Sequence, residues 1–307
     1  MRIRIAVPLF ALLCLFVPYS AFSQSAPAAS EAPNPQQAAL TAAVEAAQKV
    51  LQQGPQDVPL RDQAVLHLPA GFGFVPAAEA SQYLRALGNV PNDTLAGLVV
   101  PLGQQGDWFV AVSYVPSGYI KDDDATHWDA DALLESLREG TAEDNAQRVQ
   151  MGVPSIEIVG WVEPPAYDAG THRLVWSVAS RGTGETAGTD NGINYNTYAL
   201  GREGYFSLNL VTSQRAVAQD KPAAHALLAA LQFDAGKRYG DFDSSTDKVA
   251  EYGLAALVAG AAVKKMGLLA GAAVFFAKFW KLLLIGFVGV AAAARRAFGK
   301  EKPDSLP

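Results

Sequence analysis

Period-2 alternation of apolar and polar residues runs through most of the chain between residues 108 and 210. Trp108, Val110, Val112 and Tyr114 alternate with Phe109, Ala111 and Ser113, and Ile156, Ile158 and Val162 with Glu157, Val159 and Trp161. His172, Leu174, Trp176 and Val178 alternate with Arg173, Val175 and Ser177, and Phe206, Leu208 and Leu210 with Ser207 and Asn209. In an extended chain this spacing turns one face to a core, so each stretch predicts a strand. Shorter strands fit 65–68, 72–75, 98–102 and 193–200. Turn residues part them: Pro69-Ala70-Gly71, Gly103 to Gly106, Pro164-Pro165 with Asp168-Ala169-Gly170, and Gly201 to Gly204.

Helical spacing appears over 76–87, 130–150 and 221–231. Thr126 and Asp129 stand ahead of the second helix at capping distance, and Gly152-Val153-Pro154 stops it. Pro222 suits the first turn of the third helix, whose buried stripe is Leu227, Leu228 and Leu231. Hairpin-linked strands with inserted helices predict an α+β fold, a mostly antiparallel sheet with flanking helices. The closing order of strand 205–211, helix 222–231 and then Phe233 resembles the end of PsbP-like domains.

The two ends follow other patterns. Arg2 and Arg4 precede an apolar run from Ile5 to Val17 and then small residues, the layout of a secretory signal cleaved after Ser23. The run is too short to span a bilayer comfortably. The single cysteine, Cys14, lies inside it, so the mature chain has no thiol and disulfides or Cys-ligated metals are excluded. Residues 24–56 read as an Ala-, Pro- and Gln-rich linker with a short helix over 38–53, and the ordered domain as 57–247. Beyond it, three uncharged runs, 252–263, 266–277 and 282–294, are separated by Lys264-Lys265 and by Lys278 with Lys281, and closed by Arg295-Arg296. A membrane pass fits either 252–277 or 267–294, each burying two lysines at about 3 kcal/mol apiece on insertion scales. Residues 248–298 are therefore read as a helical membrane anchor. Residues 299–307 form a cytoplasmic tail, with Arg295, Arg296, Lys300 and Lys302 on the inner side.

Charge sharpens this division. The formal net charge is −6, but residues 24–247 carry 13 Lys and Arg against 27 Asp and Glu, a net of −14. Residues 248–307 carry 9 against 3. So acidic a body repels phosphate backbones, which excludes nucleic acid as a partner. The pattern predicts an inner-membrane protein with a periplasmic body that is soluble without its anchor. The partners expected are the membrane and, through Gly267 and Gly271 in Gly-x-x-x-Gly spacing, a second copy or another membrane helix.

Several strings occur together: Leu68-Pro-Ala-Gly-Phe72, Asp107-Trp-Phe-Val110, Ser117-Gly-Tyr-Ile-Lys-Asp-Asp-Asp124, Trp128-Asp-Ala-Asp-Ala-Leu-Leu134 and Gly160-Trp-Val-Glu-Pro-Pro165. His172-Arg-Leu-Val-Trp176, Asn194-Tyr-Asn-Thr197, Leu200-Gly-Arg-Glu-Gly204, Ser207-Leu-Asn-Leu-Val211 and Tyr252-Gly-Leu-Ala-Ala-Leu-Val-Ala-Gly260 follow. With these the chain resembles, over about 57–298, an uncharacterised bacterial family described as a predicted membrane-anchored protein, a domain of unknown function. The resemblance implies an envelope protein with a C-terminal anchor and brings no catalytic residues.

Candidate chemistry is sparse. The densest polar cluster is 121–131, where Asp122, Asp124 and Thr126 offer oxygen ligands for Ca²⁺ and His127 with Asp129 offers ligands for Zn²⁺. The calcium template wants Gly sixth and Glu twelfth, and His127 and Leu133 stand there instead. The plainer reading is an acidic loop feeding a helix N-terminus. Ser245 and Lys248 have the Ser-x-x-Lys spacing of acyl enzymes without their partner motifs, and also read as the cap of a helix starting near Asp247. The glycine-rich stretch 182–188 misses the dinucleotide fingerprint and reads as a hairpin loop. Glu157, Glu163 and Glu203 make an acid/base pair only if the fold brings two together. His67, His127, His172 and His225 are scattered, and Trp108, Trp128, Trp161, Trp176 and Tyr195 line either a core or a ligand groove. No cofactor motif occurs. The pattern predicts a non-catalytic binding, sensing or assembly module, with a periplasmic hydrolase or metal-dependent enzyme built on 121–131 or the strand-end carboxylates as the alternative.

Overall fold

The computed structural model describes residues 35–259 apart from 90, 104–105, 127, 151 and 187–189. In chain order the strands are β1 (Gln52–Gln53), β2 (Gln56–Leu60), β3 (Ala64–Leu68), β4 (Phe72–Pro76), β5 (Leu95–Pro101) and β6 (Phe109–Val115). They continue with β7 (Ile156–Asp168), β8 (Arg173–Gly182), β9 (Gly192–Leu200), β10 (Tyr205–Ser213) and β11 (Leu231–Phe233). The helices are α1 (Pro35–Val50), α2 (Ala77–Ala86), α3 (Ala130–Gln150), α4 (Val217–Ala230) and α5 (Leu254–Ala259).

Eight strands form one antiparallel sheet in the order β1-β4-β5-β6-β10-β9-β8-β7, and β11-β3-β2 form a second. The α+β reading holds. Alternation divides the large sheet into two faces. One carries Val110, Val112, Ile193, Tyr195, Phe206, Leu208 and Leu210 against α4 and the small sheet. The opposite face is covered in two places. At one end Leu95 and Leu98 pack with α2 and the last turn of α1. At the other Leu174, Trp176, Val178 and Tyr198 pack with α3 and α5.

Several expectations shift at the edges. The sequence ends a strand at Pro164-Pro165, yet β7 runs through both. It pairs only with β8, and the register shift between Glu163 and Ala166 leaves both prolines without a partner in the ladder, so neither missing N–H breaks a paired position. The outer edge of β7 is guarded by α3: Asn145 Oδ1 accepts the Ile156 N–H at 2.9 Å, Asn145 Nδ2 donates to the Ile156 carbonyl at 2.7 Å, and Arg138 Nη2 donates to the Val159 carbonyl at 3.1 Å. Helix α4 begins one turn earlier than the pattern suggests, because the Ala216 carbonyl accepts from both Gln219 and Asp220 N–H groups. Pro222 therefore lies in the second turn rather than the first. Helix α1 stops at Val50, and β1 occupies 52–53 where the sequence reads helix.

The largest correction is at the C-terminal end. The expected helix from Asp247 is absent; Ser245 N–H and Oγ both turn onto Asp243 Oδ1, and α5 starts only at Leu254. Leu254, Leu257, Val258 and Ala259, read as the first turns of the anchor, are buried in the body. A membrane pass over 252–277 would take those side chains out of a core they fill. No helix among the described residues is long and apolar enough to cross a membrane. The remainder of the predicted anchor, 260–298, and the predicted signal, 1–23, lie outside the described residues.

Candidate functional site

The loop after β6 concentrates the chain's polar chemistry, and the structure spends that chemistry on the segment leading to α5. Arg202, in the β9–β10 turn, grips Asp247 with two hydrogen bonds of 2.7 and 2.8 Å. The guanidinium holds the Asp247 carboxyl well below the usual carboxylate range. Next, the Tyr119 N–H donates to the Lys248 carbonyl at 2.8 Å, and the Ala250 N–H to the Tyr119 carbonyl at 2.8 Å. Gly118 permits this approach: its φ is +92°, and a Cβ there would meet the Lys248 carbonyl at 2.6 Å. Asp124 then caps α5, its two oxygens each accepting one N–H, from Leu254 and Ala255, at 3.0 Å. A Cβ on Gly253 would lie 2.5 Å from the Asp124 carboxylate, so only glycine lets the cap close.

Beside these fastenings is a stack of rings. Phe242 stacks on Tyr119 at 3.9 Å, Tyr119 meets Tyr239 at 4.4 Å, and Tyr239 stacks on His172 at 4.1 Å. The Tyr239 hydroxyl donates to the Ile120 carbonyl at 2.8 Å. His172 turns the β7–β8 hairpin with φ +53°, a conformation that histidine tolerates better than most side chains. The Tyr167 hydroxyl donates to Asp122 Oδ2 at 2.8 Å and lies 3.2 Å from His172 Nδ1. Burial and the Asp122 carboxylate push the Tyr167 phenol far above its ordinary value, and burial with Tyr119 does the same to Tyr239. Both phenols stay protonated at neutral pH and donate their protons to Asp122 and to the Ile120 carbonyl.

The metal-ligand candidates are therefore placed as follows. Asp122 faces Tyr167, Asp124 caps α5, and Asp129 Oδ1 caps α3 by accepting the Asp131 and Ala132 N–H groups at 2.9 and 3.2 Å. His127 lies outside the described residues. Among the described residues no three His, Cys, Asp or Glu side chains are grouped to hold a metal.

The glutamates are separated by their partners. Glu157 pairs with Arg181, Glu163 with Lys221, and Glu203 with Lys237. Glu163 also accepts from the Tyr195 hydroxyl at 3.1 Å, and Tyr195 lies 2.9 Å from His225 Nε2, a four-residue cluster of β7, β9 and α4 that the sequence does not bring together. His67 is exposed on β3 beside Asp57, which raises its pKa. Trp108, Trp176 and Tyr195 are core residues, and Trp128 and Trp161 pack against the core beneath α3. What sequence reasoning missed is the partner of Asp124: Leu254 stands 130 positions away.

No curated protein matches the chain. Among solved structures, it is similar to the solution structure of cyanobacterial PsbP (CyanoP) from Synechocystis sp. PCC 6803, at 12% identity and a TM-score of 0.35, over 60% of this chain and 93% of that one. A family model described as a protein of unknown function, DUF2167, matches residues 52–288, which span β1 to α5 and most of the apolar segment beyond, and to that family the chain belongs.

Proposed function

We propose that this is a membrane-anchored module of the cell envelope, secreted through its N-terminal signal, with an acidic periplasmic body that binds or senses rather than catalyses. The observation that carries the reading is the junction itself. Asp247, Lys248, Ala250 and Leu254–Ala259 are fastened in succession to the body. The apolar sequence continues directly from the last residue of α5, Ala259. The burial of α5 favours the pass over 267–294, which ends on Arg295-Arg296 and leaves Lys264-Lys265 at the outer interface. Those two lysines are well placed to offset the repulsion between an acidic body and anionic headgroups. The enzyme alternative would need free converging carboxylates; of its candidates, Glu157, Glu163 and Glu203 are each paired with a cation, and Asp124 and Asp129 each accept backbone N–H groups.

Alkaline extraction of membranes with protease treatment of spheroplasts tests the placement. The full chain should resist extraction, start near Gln24, and lose its body to external protease while a tag after Pro307 survives. Release of the intact chain by alkali, or protection of the body, would contradict the reading.

A further inference from the structure

Strand β7 ends the large sheet, and its two faces are covered unequally. Ile158, Trp161 and Tyr167 turn into the core with α3 and α5. Glu157, Gly160, Glu163 and Ala166 stand on the other face, opposite Arg181, Ala179, Ser177 and Val175 of β8. There α4 packs on β9 and β10 and reaches towards β7 with Lys221, which pairs with Glu163. Two register shifts set Val159 with Gly160 against Ala179, and Val162 with Glu163 against Ser177. Both valines stand in solvent, 37% and 40% exposed, and they are two of the four large apolar side chains exposed among the described residues. Gly160 between them answers no need of the chain's own packing. It has no left-handed φ, and a Cβ there would meet nothing within 4 Å beyond its chain neighbours. Glycine weakens a strand interior and marks places where another backbone comes close.

We propose that this strip is a contact surface for a second copy of the chain, packed face to face on β7 across a two-fold axis near Gly160. Gly160 and exposed Ala166 admit close approach, and Val159 and Val162 supply the apolar contact. The charges of the strip are neutralised within the chain, Glu157 by Arg181 and Glu163 by Lys221. A charged partner finds no unpaired group among them. A second copy sets one neutral pair over another when the axis reverses β7 on itself. The net charge of −14 on residues 24–247 does not forbid this, because fields beyond about 8 Å are screened at physiological salt. From Glu157 to Ala166 two strands cover about 30 by 10 Å, so roughly 600 Å² is buried over both copies. That is about half of what a stable free dimer needs. The contact therefore works between copies already held together, which a shared membrane provides at about millimolar effective concentration. It rests on the envelope reading for that tethering alone.

The test is disulfide trapping in the full chain, with Cys14, the single native cysteine, replaced by Ser. Gly160→Cys is oxidised with copper phenanthroline in membranes, and again as purified chain in detergent at about 1 mM. Val149→Cys, at a position 63% exposed near the end of α3, is the control for chance collision. The Gly160→Cys chain should give a covalent dimer in both preparations, about tenfold or more above the control. Adding Val162→Arg should lower that yield about tenfold while the melting temperature holds, since Val162 is exposed. A dimer in membranes alone would also support the proposal, as the small area calls for tethering. A dimer in concentrated solution alone would support the surface and count against the anchor. No dimer in either preparation, equal trapping of Val149→Cys, an undiminished dimer in a folded Val162→Arg chain, or trapping of Gly160→Cys on a different protein would overturn it.

Discussion

Asp124 and Asp129 do the same physical work by different routes. Asp129 caps its own helix, two to three residues away, and the spacing ahead of an apolar run makes that legible. Asp124 caps a helix whose N-terminus comes from a distant part of the chain, which no local spacing can announce. Asp124→Ala should cost about 1 kcal/mol, in line with lost N-caps, and should speed hydrogen exchange at Leu254 and Ala255 more than elsewhere. Since Asp122, Asp124 and Asp129 already accept protein hydrogen bonds, added Ca²⁺ or Zn²⁺ should leave the melting temperature unchanged; a rise that chelator reverses would support the metal reading. Asp220 gives a pH prediction. It is buried beside Thr212, and burial raises its pKa. A carboxyl raised in the folded state contributes stability that is full below its unfolded pKa and lost as pH rises through the folded value. Asp220→Asn should therefore stabilise the protein at neutral pH, with the gain vanishing near pH 3, as thermal melts across that range would show.

The elements were legible where alternation is unbroken and buried on one side. Strands β6, β8, β9 and β10 fall within one to four residues of the expected ends for that reason. Strand β2 was not, because Gln56, Asp57 and Pro59 leave only Val58 and Leu60 to signal it, and β11 was not, because its three residues follow α4 directly. The continuation of β7 past two prolines is readable only once β7 is known to be an edge. That edge depends on Asn145 of α3. Asn145→Ala leaves the N–H and carbonyl of Ile156 without their side-chain partners, which should cost about 1–3 kcal/mol in denaturant titrations. It should also increase aggregation, since an uncovered strand edge recruits others. The candidate site was half legible. The acidic loop stands out by composition, but most of its partner segment, 248–259, reads as anchor in the sequence, since hydropathy alone cannot separate a short core helix from the start of a membrane helix.

For the whole molecule, the consequence is that body and C-terminal segment fold together. A chain ending at 247, expected from the sequence to be a soluble unit, would expose Leu174, Trp176 and Tyr198 and lose Leu254, Leu257 and Val258, at about 1.5–3 kcal/mol for each buried side chain. It should melt well below a chain ending at 259. On the proposed membrane pass over 267–294, Lys278 and Lys281 fall near the middle, so packing of Gly267 and Gly271 against a second helix would shelter them. Cross-linking in membranes should then give a dimer that Gly267→Ile with Gly271→Ile abolishes. The most direct measurement is hydrogen exchange on the full chain reconstituted in bilayers, read at the amides of Leu257, Val258 and Ala259. The account predicts protection there comparable to that of β9 and β10, lowered by about fivefold in Asp124→Ala as one lost cap allows. Rapid exchange at those amides in a body that is otherwise protected would contradict it.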